Sequence, residues 1–392
     1  MDLIESLGKF WHYLLLVAGF LAAVVTSGHA VLRKRDSRSA AMWVGVIWLS
    51  PIIGPLLYLL FGINRIERKA LSLWRGQEPA VGTDGDHYAS PEDMIAHLPA
   101  EQQHLRKLVM LVNGVTRRPL LSGNAITVLN GGDAAYPEML KAIDGARDTV
   151  NLMTYIFDYD VVGKQFVEAL VRAADRGVDV RVMIDDAGAR YSKRSVSALL
   201  QKRGIHCERF LRTLDPLKMM GLNLRNHRKV LVVDGRIGFT GGMNIRGGGR
   251  LPPDPAAPIR DVHFQVDGPA VAHLQEAFAD DWLFGTGEAM ASQKWFPEQR
   301  SAGEMLVRGI SDGPDAELRK LRWAMVGALN SAQYSVKIVT PYFLPDEVLV
   351  SALNQAARRG VHVDVVLPKK GNLPFVTWAM YGPSAYMMKV MG

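Results

Sequence analysis

Residues Arg225 to Asn244 read RNHRKVLVVDGRIGFTGGMN and carry a set of side chains suited to chemistry on phosphorus: His227, Lys229, Asp234, Gly241, Gly242 and Asn244. A neutral imidazole can attack a phosphorus atom and form a phosphohistidine, which divides one difficult substitution into two easier ones. An ammonium two residues away and a nearby amide can hold the negative charge that gathers on the equatorial oxygens. The sequence shows no cluster of metal ligands around this stretch, so Lys229 is the expected fixed cation and neither a metal nor a cofactor is expected. His227, Lys229 and Asp234 are the candidate catalytic residues. Gly241, Gly242 and Asn244 are the candidate substrate phosphate-binding residues.

A strand has to present these groups. Alternate side chains of an extended backbone share a face, so His227 and Lys229 project together while Val230 to Val233 form a buried strand. Asp234-Gly235 is a turn signal, and Arg236 to Thr240 is expected to return as the paired strand. Gly241 and Gly242 let backbone approach a ligand, with Asn244 as a donor to an anionic oxygen.

The surrounding chain repeats itself. Val150 to Phe157, Phe166 to Arg176 and Val178 to Ile184 read as strand, amphipathic helix and strand. Val336 to Phe343, Leu349 to Arg359 and Val361 to Leu367 repeat that order. Both helices share the pattern A-L-x-x-A-A-x-R-G-V, at Ala169 to Val178 and at Ala352 to Val361. Gly177 and Gly360 each follow a basic helical turn and precede a β-branched run, as expected of a left-handed cap leading into a parallel strand. The fold class is therefore α/β with duplicated strand-helix-strand units.

The 392 residues carry a net charge of +7, which favours polyanionic partners, nucleic acid or an acidic bilayer surface. The stretch from Phe10 to Leu32 holds no charged side chain except the titratable His12 and His29, enough to cross a bilayer as a helix. A second uncharged run, Ser39 to Asn64, follows the basic cluster Arg33, Lys34, Arg35 and Arg38. Pro51, Gly54 and Pro55 interrupt it, so it either spans with a kink or bends and returns. Residues 1–64 are thus expected to be a membrane anchor with two transmembrane segments, and 65–91 a linker. The single cysteine, Cys207, excludes an intramolecular disulfide and is expected in the core. Asp185-Asp186 reads as a solvated turn, and for His263 a structural and a phosphate-lining role are evenly balanced.

The run RNHRK, DG and FTGGMN resembles the first HKD signature motif of the phospholipase D superfamily, in the wording of its bacterial cardiolipin synthase branch. Trp48 to Gly62, the set Arg260, Asp261, His263, Gly268, Pro269, Phe278 and Trp282, and Thr340 to Pro345 extend the likeness over essentially the whole chain. The resemblance implies phospholipase D-like α/β/α sandwich domains, a first at 92–300 bearing the motif and an incomplete second at 301–392. It implies a multi-pass protein of the bacterial inner membrane that joins two phosphatidylglycerol molecules into cardiolipin with release of glycerol. His227 is then nucleophile or acid/base, with Lys229 on the phosphate. The implied partners are phosphatidylglycerol, anionic membrane lipids and the membrane itself. Nucleic acid is not expected as a partner, and a homo-oligomer is compatible.

The sequence departs from the pattern twice. A second H-x-K-x4-D is absent, and by the repeat offset its histidine falls beyond Gly392, so the chain reads as a truncated form. Arg246-Gly247-Gly248-Gly249-Arg250 stands where the family carries an acidic and aromatic turn. Two alternatives follow: a non-catalytic membrane-bound remnant that binds anionic lipid, or a phospholipase D-like phosphodiesterase active only as a dimer.

Overall fold

The computed structural model describes residues 2–34, 36–63, 98–116, 118–192, 194–211, 226–249, 259–311, 320–369, 371 and 373–391. The expected linker at 65–91, together with Arg225 and Arg250, lies outside these residues. The chain divides into two compact units, each described by itself.

The first unit holds the described N-terminal residues through Ile63. Helix α1 (Asp2–Arg33) contains an uninterrupted apolar stretch, Phe10–Arg33, long and apolar enough to cross a membrane. Large apolar side chains such as Trp11, Leu15, Leu16, Val17 and Phe20 are exposed along it, as suits a lipid-facing surface. The second expected segment is not one continuous helix. It forms α2 (Ser37–Leu49) and α3 (Ile53–Leu57), followed by a π-helical turn at Tyr58–Gly62. At 1.5 Å per residue α2 is about 20 Å long, short of a hydrocarbon core of about 30 Å. The break falls at Pro51, where the ring removes a helical hydrogen bond. Beyond it the chain turns back so closely that a Cβ on Gly54 would stand 2.5 Å from the Val46 carbonyl. A hydrogen bond of 2.7 Å between His29 Nδ1 and the Tyr58 hydroxyl ties this turn to α1.

The second unit begins, among described residues, at Leu98. After α4 (Arg106–Val115) its elements are β1 (Leu121–Asn130), α5 (Gly132–Gly145), β2 (Thr149–Thr154), α6 (Val161–Asp175) and β3 (Asp179–Asp185). Then come α7 (Val196–Lys202), β4 (His206–Phe210), β5 (Val230–Val233), β6 (Ile237–Gly241), β7 (Val262–Asp267), α8 (Val271–Thr286) and β8 (Met305–Val307). The eight strands form one mixed sheet in the order β4-β3-β2-β5-β6-β7-β1-β8. Strands β2, β3 and β4 run parallel, while β5 enters antiparallel beside β2 and opens an antiparallel half. The core against α5 and α6 is built from Ile143, Phe166, Leu170, Leu152, Leu231 and Phe239. Cys207 is buried there, as expected.

Beyond residue 301, α9 (Lys320–Ser331), β9 (Ser335–Val339), α10 (Glu347–Arg358), β10 (His362–Val366) and α11 (Pro374–Met391) follow. The large sheet runs past residue 300, where the first domain is expected to end. Strand β8 lies beyond it and still pairs with β1, Leu121 opposite Val307. The described residues of 98–210, 226–311 and 320–391 fall in one compact unit.

The internal repeat extends to single hydrogen bonds. Asp160 and Asp346 cap α6 and α10 by accepting from the amides of Gly163 and Leu349. At the other ends Gly177 and Gly360 take φ of 88° and 87°. Val178 and Val361 there donate back to the carbonyls of Ala173 and Ala356, both at 3.1 Å, closing the same cap. The arginine common to both copies makes the same kind of bond in each. Arg176 donates to the Ile143 carbonyl at the end of α5, and Arg359 to the Leu329 carbonyl near the end of α9. Thr154 and Thr340 donate to the carbonyls of Ile156 and Tyr342, each two residues on. Strands β2 with β3 and β9 with β10 are parallel pairs.

No atom lies within 4 Å of a Cβ placed on Gly177 or Gly360, so only backbone conformation opposes a side chain at either position. Gly177→Ala and Gly360→Ala should each lower stability by about 1 kcal/mol in denaturation experiments. Two neutral substitutions would mean that the left-handed caps are not maintained.

Candidate functional site

The site forms where the end of β2 meets the start of β5. Asn226 and Arg228 turn to one side of the entering chain, and both are held by Asp281 of α8. The Asn226 amide donates to its Oδ2 at 2.7 Å, and the Arg228 guanidinium pairs with it at 2.7 Å. The Asn226 backbone N–H also donates to Asp185 Oδ2 at 3.1 Å. With alternate residues anchored in this way, His227 and Lys229 point to the opposite side. There His227 stacks on Tyr155, ring centroids 4.0 Å apart and planes inclined by 30°. The Lys229 ammonium donates to the His227 carbonyl and stands 5.5 Å from the centroid of the same tyrosine.

The two charges are tuned by this setting. His227 keeps an exposed edge, but the burial of the rest of the ring against Tyr155, and then the positive charge of Lys229, push its imidazole down to about 4, so the ring is neutral near pH 7. Burial lowers Lys229 to about 8, opposed by the carboxylates of Asp261 and Asp185. Residues 246–250 contain no carboxylate, but Asp261, just before β7, supplies negative charge near Lys229. Its carboxyl is itself raised, first by burial.

The candidate phosphate-binding residues lie at the end of β6 and just after it. Gly241 has φ of 154°, and Gly242 is exposed beside Asp261. A Cβ on Gly242 would meet Asp261 Oδ1 at 2.2 Å, so a side chain there would push that carboxylate aside. Asn244 accepts from the Ile156 N–H through Oδ1 at 3.0 Å, which leaves its NH2 as the donor end. The glycine-rich stretch is bound inward: the Gly247 amide donates to Asp160, and Gly249 sits against Tyr136.

Asp234 lies elsewhere. Strand β5 separates it from His227 by roughly 20 Å at about 3.3 Å per residue. Its carboxylate accepts from the backbone N–H groups of Arg147 at 3.0 Å, Asp148 at 2.8 Å and Thr149 at 2.9 Å. It thereby clips the β5-β6 turn onto the start of β2. Of the three residues expected to be catalytic, the structure brings His227 and Lys229 together and leaves Asp234 out.

Asp185 and Asp186, expected in a solvated turn, are both buried. Asp185 also accepts from the Ala187 N–H, and Asp186 pairs with Arg190 and Arg209 at 2.9 and 2.8 Å. Sequence reasoning also missed Tyr155. Its one signal was its place immediately after Thr154, at the end of an entirely buried strand.

A family model described as "Cardiolipin synthase, PLD-like domain" matches residues 139–282 and 325–389, more than half of the chain. The chain belongs to the cardiolipin synthase family. A second family model, "Phospholipase_D-nuclease N-terminal", matches residues 20–62. Cardiolipin synthase of Listeria monocytogenes is 30% identical over 93% of this chain and 76% of its own length. Cardiolipin synthase 1 of Staphylococcus epidermidis is 29% identical over 96% of this chain and 78% of its own length. A solved phosphatidylserine synthase of Haemophilus influenzae aligns over 72% of this chain and 73% of its own, with 14% identity and a TM-score of 0.47.

Two outcomes follow from the site. A reaction that needs neutral His227 and charged Lys229 is retained between their pKa values. Turnover should fall as pH drops through about 4 and again as it rises through about 8 in a kcat/KM profile. An acid limb near 6.5 would show that Tyr155 and Lys229 do not govern the imidazole. For the clip, Asp234→Ala should cost about 2 kcal/mol of stability, because it strands backbone donors. Its kcat/KM per folded molecule should stay within about threefold of wild type. An unchanged melting temperature with collapsed turnover would place Asp234 at the chemistry after all.

Proposed function

We propose that this protein is a membrane-attached phosphatidyltransferase that joins two phosphatidylglycerol molecules into cardiolipin and releases glycerol. The observation that carries this reading is the pairing of a neutral His227 with Lys229 on one face of the chain, beside the Gly241-Gly242 turn. Membership of the cardiolipin synthase family supports it.

In the first step an imidazole nitrogen of His227 attacks the phosphorus of one phosphatidylglycerol. The bond from phosphorus to the headgroup glycerol oxygen breaks, and that oxygen takes a proton from an acid. In the second step the hydroxyl of another phosphatidylglycerol attacks, its proton returns to the conjugate base, and the phosphorus-nitrogen bond breaks. Lys229 neutralises the phosphate oxygens throughout, and Gly241, Gly242 and the Asn244 amide line the other side. His227 cannot attack and protonate the leaving alcohol at once, so the acid is a different group. The resemblance assigns that role to a second histidine. Asp234 contributes by fixing the strand.

The first unit serves as the anchor. Helix α1 crosses the bacterial inner membrane, and α2 with α3 provides a second, bent insertion, making the protein multi-pass. The substrates are anionic lipids rather than nucleic acid, in keeping with the apolar exposed surface of α1.

The deciding measurement is conversion of labelled phosphatidylglycerol to cardiolipin and glycerol by membranes carrying this chain, with His227→Ala alongside. The expected result is formation of both products, lost in the variant. Binding of anionic lipid without products in either sample would overturn the reading in favour of a lipid-binding protein. Release of phosphatidic acid instead of cardiolipin would make it a hydrolase.

A further inference from the structure

The strand registers set three residues in one row on one face of the large sheet. Val230 lies opposite Thr240, which places Lys229 opposite Gly241, and Gly241 lies opposite His263 of β7. Paired residues of antiparallel strands share a face, so Lys229 and His263 flank a position with no side chain. The His263 ring occupies the space this leaves: a Cβ on Gly241 would stand 2.7 Å from His263 Nδ1. Asp261, two residues earlier on the chain, and the charge of Lys229 complete the surroundings.

His263 is 2% exposed, and its Nδ1 is buried with no hydrogen-bond partner among the described residues. A buried polar atom left unpaired costs free energy that a phenylalanine or methionine in the same space would avoid. A histidine serving only to pack this face of the sheet therefore has no reason to be a histidine. The ring is also kept neutral, mainly by burial and secondarily by Lys229, so it can donate a hydrogen bond without adding a second charge beside the ammonium.

We propose that His263 is a phosphate-contact residue of this site, its imidazole joining Lys229 across Gly241 to hold an oxygen of the substrate phosphate. The proposal rests on reading the site as a phosphate site, and it adds a second imidazole, supplied by the same half of the chain as His227. The phosphate oxygen lies against the ammonium and the edge of the ring, and satisfies a polar group that the folded chain leaves unpaired.

The test is binding, which needs no turnover. Inorganic phosphate and short-chain phosphatidylglycerol are titrated into the full chain in detergent, with His263→Phe and His263→Asn as variants. His263→Phe keeps the ring's bulk without its nitrogens and should weaken both ligands about tenfold, the worth of one hydrogen bond to a charged partner. His263→Asn should recover most of that loss. Loss for phosphatidylglycerol alone would confine the contact to the lipid diester, still as proposed. Wild-type affinity in His263→Phe, or equal loss in both variants, overturns it. If His263→Phe does not fold, the protein labelled with 15N-histidine decides: the ring resonance absent from His263→Asn must move on adding phosphate, and a stationary resonance overturns the proposal. Should phosphatidyl transfer fail while phosphate binding still depends on His263, the functional reading falls and this one stands.

Discussion

The site depends on the anchoring of alternate residues where the chain enters β5. Asn226 and Arg228 are held against Asp281, and this commits His227 and Lys229 to the other side. The order of the motif fits this constraint: alternate side chains share a face, and the residues between and before the pair find their partner on the other side of the strand. Asp281 is that partner, contributed by a helix far along the chain. The sheet supplies the rest: β5 runs antiparallel to β2, so its first residues meet Tyr155 at the end of β2, and β6 brings the glycine turn alongside.

The site also joins electrostatics to burial. Tyr155 covers one face of His227, and the neighbouring ammonium makes a second positive charge there unfavourable, so the imidazole stays unprotonated. Lys229 pays for its own partial burial with a weakened hold on its proton, which Asp261 and Asp185 partly restore. These residues come from separate parts of the sequence, and their mutual adjustment belongs to the fold rather than to any motif.

Much of this was legible in the sequence wherever a short period or a local cap governs. The two-residue alternation of RNHRK was enough to pair His227 with Lys229, and the A-A-x-R-G-V pattern announced both copies of the repeat, because glycine at a left-handed cap is a local requirement. The turn at Asp234-Gly235 was legible as well, but not the grip of the Asp234 carboxylate on the amides of Arg147 to Thr149, which come from a distant part of the chain. In the second membrane segment the interruption at Pro51, Gly54 and Pro55 was legible too, because proline and glycine act locally on the helix, and α2 and α3 part there. Tyr155, Asp185 and Asp281 were missed because their roles arise only from tertiary neighbours. The buried Asp185-Asp186 pair shows the same limit: acidic residues after a strand suggest solvent until a basic partner such as Arg209 comes into view.

Strand β5 is fastened at both ends, by Asp281 and Asp185 holding Asn226 and by the Asp234 carboxylate gripping the amides of Arg147 to Thr149. The four residues between Lys229 and Asp234 therefore act as a ruler. Adding or removing one would reverse which faces the imidazole and ammonium occupy; adding or removing two would restore the faces but pull one fastening loose. The spacing H-x-K-x4-D thus records the span of a strand held taut between two anchors, and its aspartate marks where the measurement ends.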